Sequence, residues 1–254
     1  MNFSVFWMQV RVLTLASIKS RYRKTWAGFL WVVLNPLIMF GVQSLVFRKF
    51  LRLQMPDYFL FLIGGLLPWI FISTTVQMGT PVFVQQSHLL RSFKIDPWVL
   101  LCAQVLDNFI NFLMSFFLIL LPLYFLSDRT IASILLLPLA LFPMLLGTLG
   151  MTVTLSVLNV FYRDINFVMG FVFSLLFFLT PVFYPKSFVP LEWQWLVEVN
   201  PMVYFIDPMR LLIYERDFVG FGLALLWSTG VALLFCGLAY LVWKRKRNDF
   251  YRKL

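Results

Sequence analysis

The 254-residue chain has little charge, and this shortage excludes a water-soluble globular domain. Only 13% of the residues are charged, whereas 61% are hydrophobic and the mean hydropathy is +0.86. A soluble domain of this length cannot bury so much apolar surface in one core. The bilayer must therefore be the solvent for most of the chain.

Cysteine and histidine are nearly absent, and so are the motifs of common catalytic sites. Cys102 and Cys236 both lie in apolar stretches, and His88 is the single histidine, so neither a disulfide framework nor a metal site is expected. The chain has no G-x-x-x-x-G-K-[ST] phosphate loop, no H-E-x-x-H and no G-x-S-x-G. We therefore expect no enzyme, no metal and no cofactor bound by this chain itself.

Long uncharged windows predict an all-α integral membrane protein with six transmembrane helices in one domain, 1–254. A helix needs about 20 residues to cross the hydrocarbon. The predicted spans lie near 26–48, 58–82, 98–126, 131–157, 166–184 and 218–243. With both termini in the cytoplasm, fourteen of the 21 Lys and Arg residues face inward and seven face outward, which favours that orientation. The net charge of +10 then reflects topology, and no nucleic-acid partner is expected.

Residues 3–24 predict an amphipathic helix in the membrane interface before the first span. Apolar residues recur at helical spacing, and basic residues crowd into positions 11–24, where anionic headgroups would hold them. A simpler interpretation is a basic flank that only orients the first span. A cleaved signal peptide fits poorly, because the apolar run after Lys24 is too long and contains Asn35-Pro36.

The loop after the second span predicts a short amphipathic helix at 85–95, ended by Asp96-Pro97. Joined to two spans, such a helix can transmit force from a soluble motor, whereas the alternative is an ordinary solvated loop. The residues assigned to this coupling role are Ser87, His88, Leu89, Leu90, Arg91 and Phe93.

Asp107, with Asn108 beside it, is the clearest case of an ionisable residue inside a predicted span. A carboxylate at that depth is costly unless it faces a cavity or a partner, so it is either functional or an interhelical polar clamp. We favour the clamp, with Arg163 or Asn35 as the candidate partners. Arg163 and Asp164 themselves form a tight turn at the inner surface, where they would cap the adjoining helices.

The fifth span is the most aromatic part of the chain. Phe173, Phe177, Thr180 and Tyr184 recur on one helical stripe, which suits stacking against sugar rings in a wet passage. The alternative is that these aromatic residues face lipid. Beyond this span, five prolines and two amphipathic pieces in 181–217 predict two short re-entrant gate helices at 188–214 on the outer side.

Five stretches in this order make a resemblance specific. They read RYRKTWAGFLWVVLNPL (21–37), GGLLPWIFIS (64–73), LNVFYRDI (158–165), TPVFYP (180–185) and NPMVYFIDPMR (200–210). Together they resemble the membrane subunit of ABC-2 type polysaccharide exporters, the permeases for O antigens, teichoic acids and capsular polysaccharides.

The resemblance implies a homodimer in the bacterial cytoplasmic (inner) membrane, bound to two copies of a separate ATPase that holds ATP and Mg²⁺. It also implies an interface helix, a coupling helix and re-entrant gate helices, and a passage between protomers for a lipid-linked polysaccharide. Membrane lipids would be further partners. Arg21, Arg23 and Lys24 would then lie near the phosphate group of the lipid-linked substrate.

Two alternatives remain open from the sequence. One is an ABC-2 exporter of a small hydrophobic drug or lipid. The other is a self-sufficient ion-coupled carrier that uses Asp107 as its ion site.

Overall fold

The chain folds into a bundle of helices, and the computed structural model describes residues 3–23, 30–52, 54–93, 95–126 and 131–254. Within these ranges the regular elements are helices, without a strand. The α-helices are α1 (Phe3–Tyr22), α2 (Leu30–Ser44), α3 (Tyr58–Gly79), α4 (Val82–Gln85), α5 (Ser87–Ser92), α6 (Pro97–Leu126), α7 (Ile131–Phe161), α8 (Ile165–Leu179), α9 (Gln194–Val199), α10 (Pro201–Arg210) and α11 (Phe218–Lys253).

Four of the described helices, α3, α6, α7 and α11, are long and apolar enough to cross a bilayer by length and composition. The other two predicted windows are occupied by α2 and α8, which have 15 residues each. A π-helical turn at Leu45–Phe50 extends α2 without a break. The all-helical, membrane-embedded class predicted from composition is therefore confirmed.

Helix α3 lies at the centre of the bundle because it is apolar on every side. Of its most apolar 18-residue window, 83% is buried inside the protein, as expected for a helix without a polar face. It contacts α2, α6, α7, α8 and α10. Helices α8 and α10, which carry predicted functional residues and a quoted motif, therefore both pack directly on this helix.

The longest packing interface joins α7 and α11, and a glycine permits their close approach. A Cβ atom on Gly150 would lie 2.7 Å from the carbonyl carbon of Phe235 and 2.8 Å from the nitrogen of Cys236. Helices in membranes associate through small residues that let their backbones meet in this way. Gly150 thus allows the backbones of α7 and α11 to pack in direct contact.

The bundle has two structurally different ends. One, here called the terminal end, carries α1, α4, α5 and the last turns of α11, which share a cluster of buried apolar side chains. The other, called the opposite end, carries the segment 180–217. At the terminal end α1 packs on α6, where Val10 is fully buried and Thr14 Oγ1 donates a hydrogen bond to the carbonyl of Ala103 (3.4 Å).

At the opposite end the chain folds back through short helices, and local sequence signals mark where several of these elements begin or where the chain reverses. Asn200 caps α10 because its side chain accepts a hydrogen bond from the Met202 amide (3.0 Å), and Pro201 occupies the first turn. Arg216 adopts a left-handed conformation (φ 60°) that reverses the chain. Asp217 then caps α11 by accepting from the Gly220 amide (2.9 Å). With six and ten residues, α9 and α10 are too short to cross a bilayer.

Candidate functional site: polar clusters at the two ends of the bundle

At the terminal end, Asp107 of α6 forms an ion pair with Arg21 in the last turn of α1. The Asp107 side chain is 2% exposed and the Arg21 side chain 31% exposed. Arg21 Nη2 also donates to Asn108 Oδ1 (3.0 Å), and Asn111 Nδ2 donates to Asp107 Oδ1 (3.2 Å). The buried carboxylate therefore receives hydrogen bonds from a cation and from an amide one turn along its own helix.

Asp107 thus takes part in an ion pair between two helices, with a partner that the sequence reasoning did not name. Arg21, rather than Arg163 or Asn35, pairs with Asp107. Because α1 folds back against α6, two residues 86 positions apart come into contact. The composition of residues 3–24 predicts an interface helix but does not indicate which helix it contacts. The pairing of Arg21 with Asp107 therefore had no signal in the sequence.

The three cations predicted to meet a substrate phosphate differ in their surroundings. Arg21 is engaged with Asp107 and Asn108, whereas Arg23 lies exposed in the turn that follows α1. Lys24 lies outside the described residues. Arg21 and Arg23 are both on the terminal end, close to the start of the first span, and their phosphate-binding role stays a prediction.

The predicted coupling segment, 85–95, contains the helix α5 and begins at the last residue of α4. Within it Leu90 is 2% exposed and faces the bundle, whereas Phe93 is 66% exposed and Arg91 is exposed. Helix α5 ends at Ser92, before the predicted stop at Asp96-Pro97. Asp96 instead caps the start of α6, because its Oδ1 accepts a hydrogen bond from the Trp98 amide (3.0 Å). The segment therefore packs on the bundle through Leu90 and exposes Arg91 and Phe93 on its other side.

At the opposite end, Arg210 of α10 is 4% exposed and holds the chain that follows α8. Its Nη2 donates to the carbonyl of Val182 (3.0 Å), and its guanidinium carbon lies 4.0 Å from the centre of the Phe61 ring. Burial lowers the pKa of Arg210 to about 10, and Asp207 and Glu215 act in the opposite direction. The side chain therefore stays protonated at neutral pH.

Two further hydrogen bonds fix the same chain segment. The Tyr58 hydroxyl donates to the carbonyl of Phe183 (2.9 Å), next to the carbonyl that Arg210 holds. Asn200 Nδ2 donates to Thr180 Oγ1 (2.8 Å). The motifs TPVFYP and NPMVYFIDPMR thus meet at one place, beside the start of α3. Sequence reasoning missed Arg210, which ends a quoted motif, and Tyr58, which begins α3, as functional candidates.

A glycine makes room for the Arg210 guanidinium. A Cβ atom on Gly65 would lie 2.5 Å from Arg210 Nη2 and 3.2 Å from the carbonyl oxygen of Val182. On the neighbouring Gly64 the nearest atom would be the Cα of Arg210 at 3.6 Å, which is an ordinary contact. The second glycine of the pair is therefore the one that the clamp requires.

The aromatic stripe of the fifth span lies mainly inside the protomer. Phe173 and Thr180 are 3% and 1% exposed, and Phe173 packs on Trp69 at 6.0 Å between ring centres. Phe177 and Tyr184 keep part of their surface, and the Tyr184 hydroxyl donates to the carbonyl of Phe178 (2.9 Å). In this conformation Phe173 and Thr180 have packing roles, and the channel-lining prediction rests on Phe177 and Tyr184.

The turn between α7 and α8 places Arg163 and Asp164 on the exposed surface. Asp164 precedes α8, but its side chain makes no capping hydrogen bond. The capping role predicted for its side chain is therefore not observed. The neighbouring ring of Phe161 instead receives Lys246 of α11, whose Nζ lies 4.7 Å from the ring centre.

Four described helices of spanning length, packed in one bundle, define a polytopic helical membrane protein. The ABC-2 type transporter model matches residues 8–214. The chain belongs to the ABC-2 type transporter family.

Several relatives are similar over most of their length. RfbA, an O-antigen export system permease protein of Klebsiella pneumoniae, is 27% identical over 229 residues, which cover 90% of this chain and 88% of the relative. RfbA of Myxococcus xanthus, with the same description, is 32% identical over 206 residues, or 80% of this chain and 79% of the relative. The polysialic acid transport protein KpsM of Escherichia coli is 23% identical over 248 residues, or 94% of each chain.

The Arg21–Asp107 pair predicts unequal effects of its two single substitutions. Arg21→Met leaves a buried carboxylate without its cation and should lower the free energy of unfolding by about 3 kcal/mol. Asp107→Leu leaves a cation that can reach water and should cost less, and the double variant should resemble Asp107→Leu. Denaturant unfolding in detergent micelles measures all three, with exposed Arg23→Met as the control. Equal losses from the two single variants would contradict this account.

The glycine pair gives a matched comparison at the opposite end. Gly65→Ala should lower the free energy of unfolding by about 1–3 kcal/mol, because its methyl group displaces the Arg210 guanidinium. Gly64→Ala makes the same change in helix propensity with room for the methyl group, and should leave the free energy of unfolding unchanged or raise it by up to about 1 kcal/mol. The same unfolding measurement applies, and equal tolerance at both positions would argue against the clamp.

Proposed function

We propose that this chain is the membrane permease subunit of an ABC transporter that exports a lipid-linked polysaccharide, such as an O antigen, a teichoic acid or a capsule. The observation that carries the proposal is the similarity to polysaccharide permeases over 80–94% of the chain. Because the missing phosphate loop leaves the chain without its own ATP site, a separate ATPase subunit supplies the energy.

In this proposal the transporter is a homodimer in the bacterial inner membrane, with six spans in each protomer and one ATPase subunit beneath each. Both termini, and hence the terminal end, face the cytoplasm. The distribution of basic residues supports this orientation, because six of the ten residues 244–253 are Lys or Arg. The coupling segment then lies on the same side as the ATPase.

The terminal end receives the substrate's phosphate group in this proposal. Arg21 and Arg23, with Lys24 next to them in the sequence, present positive charge where the first span leaves the cytoplasmic surface. Guanidinium groups bind phosphate oxygens through two parallel hydrogen bonds. Asp107 and Asn108 engage Nη2 of Arg21 and hold its guanidinium in one orientation.

The opposite end acts as an outer gate in this proposal. Arg210 and Tyr58 hold two successive carbonyls of the segment between α8 and the short helices. A polymer passing between two protomers would meet this segment last. Phe177 and Tyr184 lie at its start and would offer ring faces to the sugars.

The structure favours neither of the two alternatives. Asp107 is already paired with Arg21 and hydrogen bonded to Asn111, which is the arrangement of a clamp rather than of an open ion site. A small hydrophobic substrate would have no use for the cations at positions 21–24.

Export by the chain reconstituted with its ATPase tests the proposal. Lipid-linked polysaccharide should cross proteoliposome membranes only when ATPase and ATP are both present. Replacing Arg21, Arg23 and Lys24 together by Gln should reduce export about tenfold or more, because the charge-assisted contacts to phosphate are lost.

The control for the loss of positive charge removes three cations at the other end of the first span, Arg48, Lys49 and Arg52, and export is compared at equal amounts of folded protein because Arg21 also pairs with Asp107. This control should export normally, with ATPase binding equal in both variants. Transport without ATPase would refute the proposed class, and normal export by the Arg21, Arg23 and Lys24 variant would refute the phosphate role.

The aromatic residues make a separate prediction. Alanine at both Phe177 and Tyr184 should reduce polysaccharide export several-fold, because two sugar-stacking surfaces are lost, without preventing assembly with the ATPase. The control pair is Phe167 and Phe171, which are 77% and 66% exposed on another face of α8. If export is lost only in the control variant, the polysaccharide passage lies along that other face of α8 instead.

A further inference from the structure

The last turns of α11 extend past the span and pack beneath the coupling segment. Ten residues follow Trp243 before the helix ends at Lys253, a length of about 15 Å. Phe250 has no exposed surface and meets the ring of Phe83, just before α5, edge-on at 5.2 Å. Leu90 of α5 and the final residue, Leu254, belong to the same buried cluster.

This contact explains how so short a helix is held in place. A six-residue helix such as α5 is not stable by itself, and α5 has no side-chain hydrogen bond at its first turn. Its position therefore depends on packing, for which α11 supplies Phe250 and Leu254. The C-terminal turns are thus a structural part of the coupling segment.

Between α5 and α11 lies an open cleft of about 660 Å³, lined by Leu90, Arg91, Tyr251 and Arg252. One wall is the predicted coupling helix and the other is the end of α11. Arg91 and Arg252 bring positive charge to it. Arg252 is paired with Asp249 on its own helix (2.7 Å), but both groups are largely exposed, so this pair is weak and a second carboxylate can compete for it.

We propose that the C-terminal turn of α11 and the coupling helix together form one docking site for the ATPase subunit. This inference rests on the proposed function, which places the cleft on the cytoplasmic side. Its occupant is an ATPase element that carries a carboxylate for the two arginines and an apolar side chain for Leu90 and Tyr251. Six basic residues in 244–253 outnumber the two nearby acids, Asp249 and Asp96, and make the surroundings of the cleft complementary to such an element.

Charge reversal inside and outside the cleft tests the proposal. The chain is placed in nanodiscs of neutral phosphatidylcholine, and the dissociation constant of its ATPase is measured by fluorescence titration. Arg91→Glu and Arg252→Glu should each weaken binding about tenfold or more, because like charges then meet in the cleft. Arg245→Glu and Arg247→Glu make the same charge change on exposed positions of α11 that do not line the cleft, and should change binding less than about twofold.

A photo-crosslinking residue provides the second measurement. At Tyr251 it should form an adduct with the ATPase, and at Arg247 it should not. Equal weakening by all four reversals, no weakening by the cleft pair, or an effect that appears only when anionic lipid is added would overturn the proposal. The binding measurement requires no polysaccharide. If polysaccharide export fails while the four variants bind the ATPase as expected, the proposed substrate is refuted but the proposed docking site is not.

Discussion

The structure depends on one constraint, that a polar group buried among apolar helices must find a partner within the protein. Asp107 meets this requirement through Arg21, and in doing so it ties the N-terminal helix to α6. Arg210 meets it at Nη2 through the Val182 carbonyl and through the ring of Phe61, although its Nε has no hydrogen-bond partner among the described residues, and so it ties the short helices to α3. Each buried charge thus fixes one peripheral element, α1 or the short helices, to a long helix of the bundle.

The two ends are joined by helices that run the length of the molecule. Helix α11 begins beside α10 at the opposite end and finishes beneath the coupling segment at the terminal end, and it is held against α7 through Gly150. If the proposed ATPase docks on the coupling segment, a displacement of that segment would therefore act on a helix that also contacts the short helices at the opposite end. At the proposed docking site the ATPase would contact the end of α11 directly.

Much of the fold was predictable because membrane constraints act locally. Spans follow from runs of apolar residues, and the starts of α6, α10 and α11 follow from Asp96, Asn200 and Asp217, whose side chains cap them. The candidate sites were less predictable. Nothing local distinguishes Arg210 from the other basic residues of the chain, and its importance appears only when Gly65 and the Val182 carbonyl are brought to it.

By itself, the sequence determined the membrane class, the apolar windows and the absence of a phosphate-binding loop, because these depend on composition and short-range order. Tertiary structure alone decided which side chains meet. It paired Arg21 with Asp107 across 86 positions, turned Phe173 and Thr180 inward, and set Phe250 beneath the coupling segment. The physical reason is that in a mostly apolar chain any helix face can pack on several others. The partner is selected by where a buried charge can be satisfied and where a glycine lets two backbones approach.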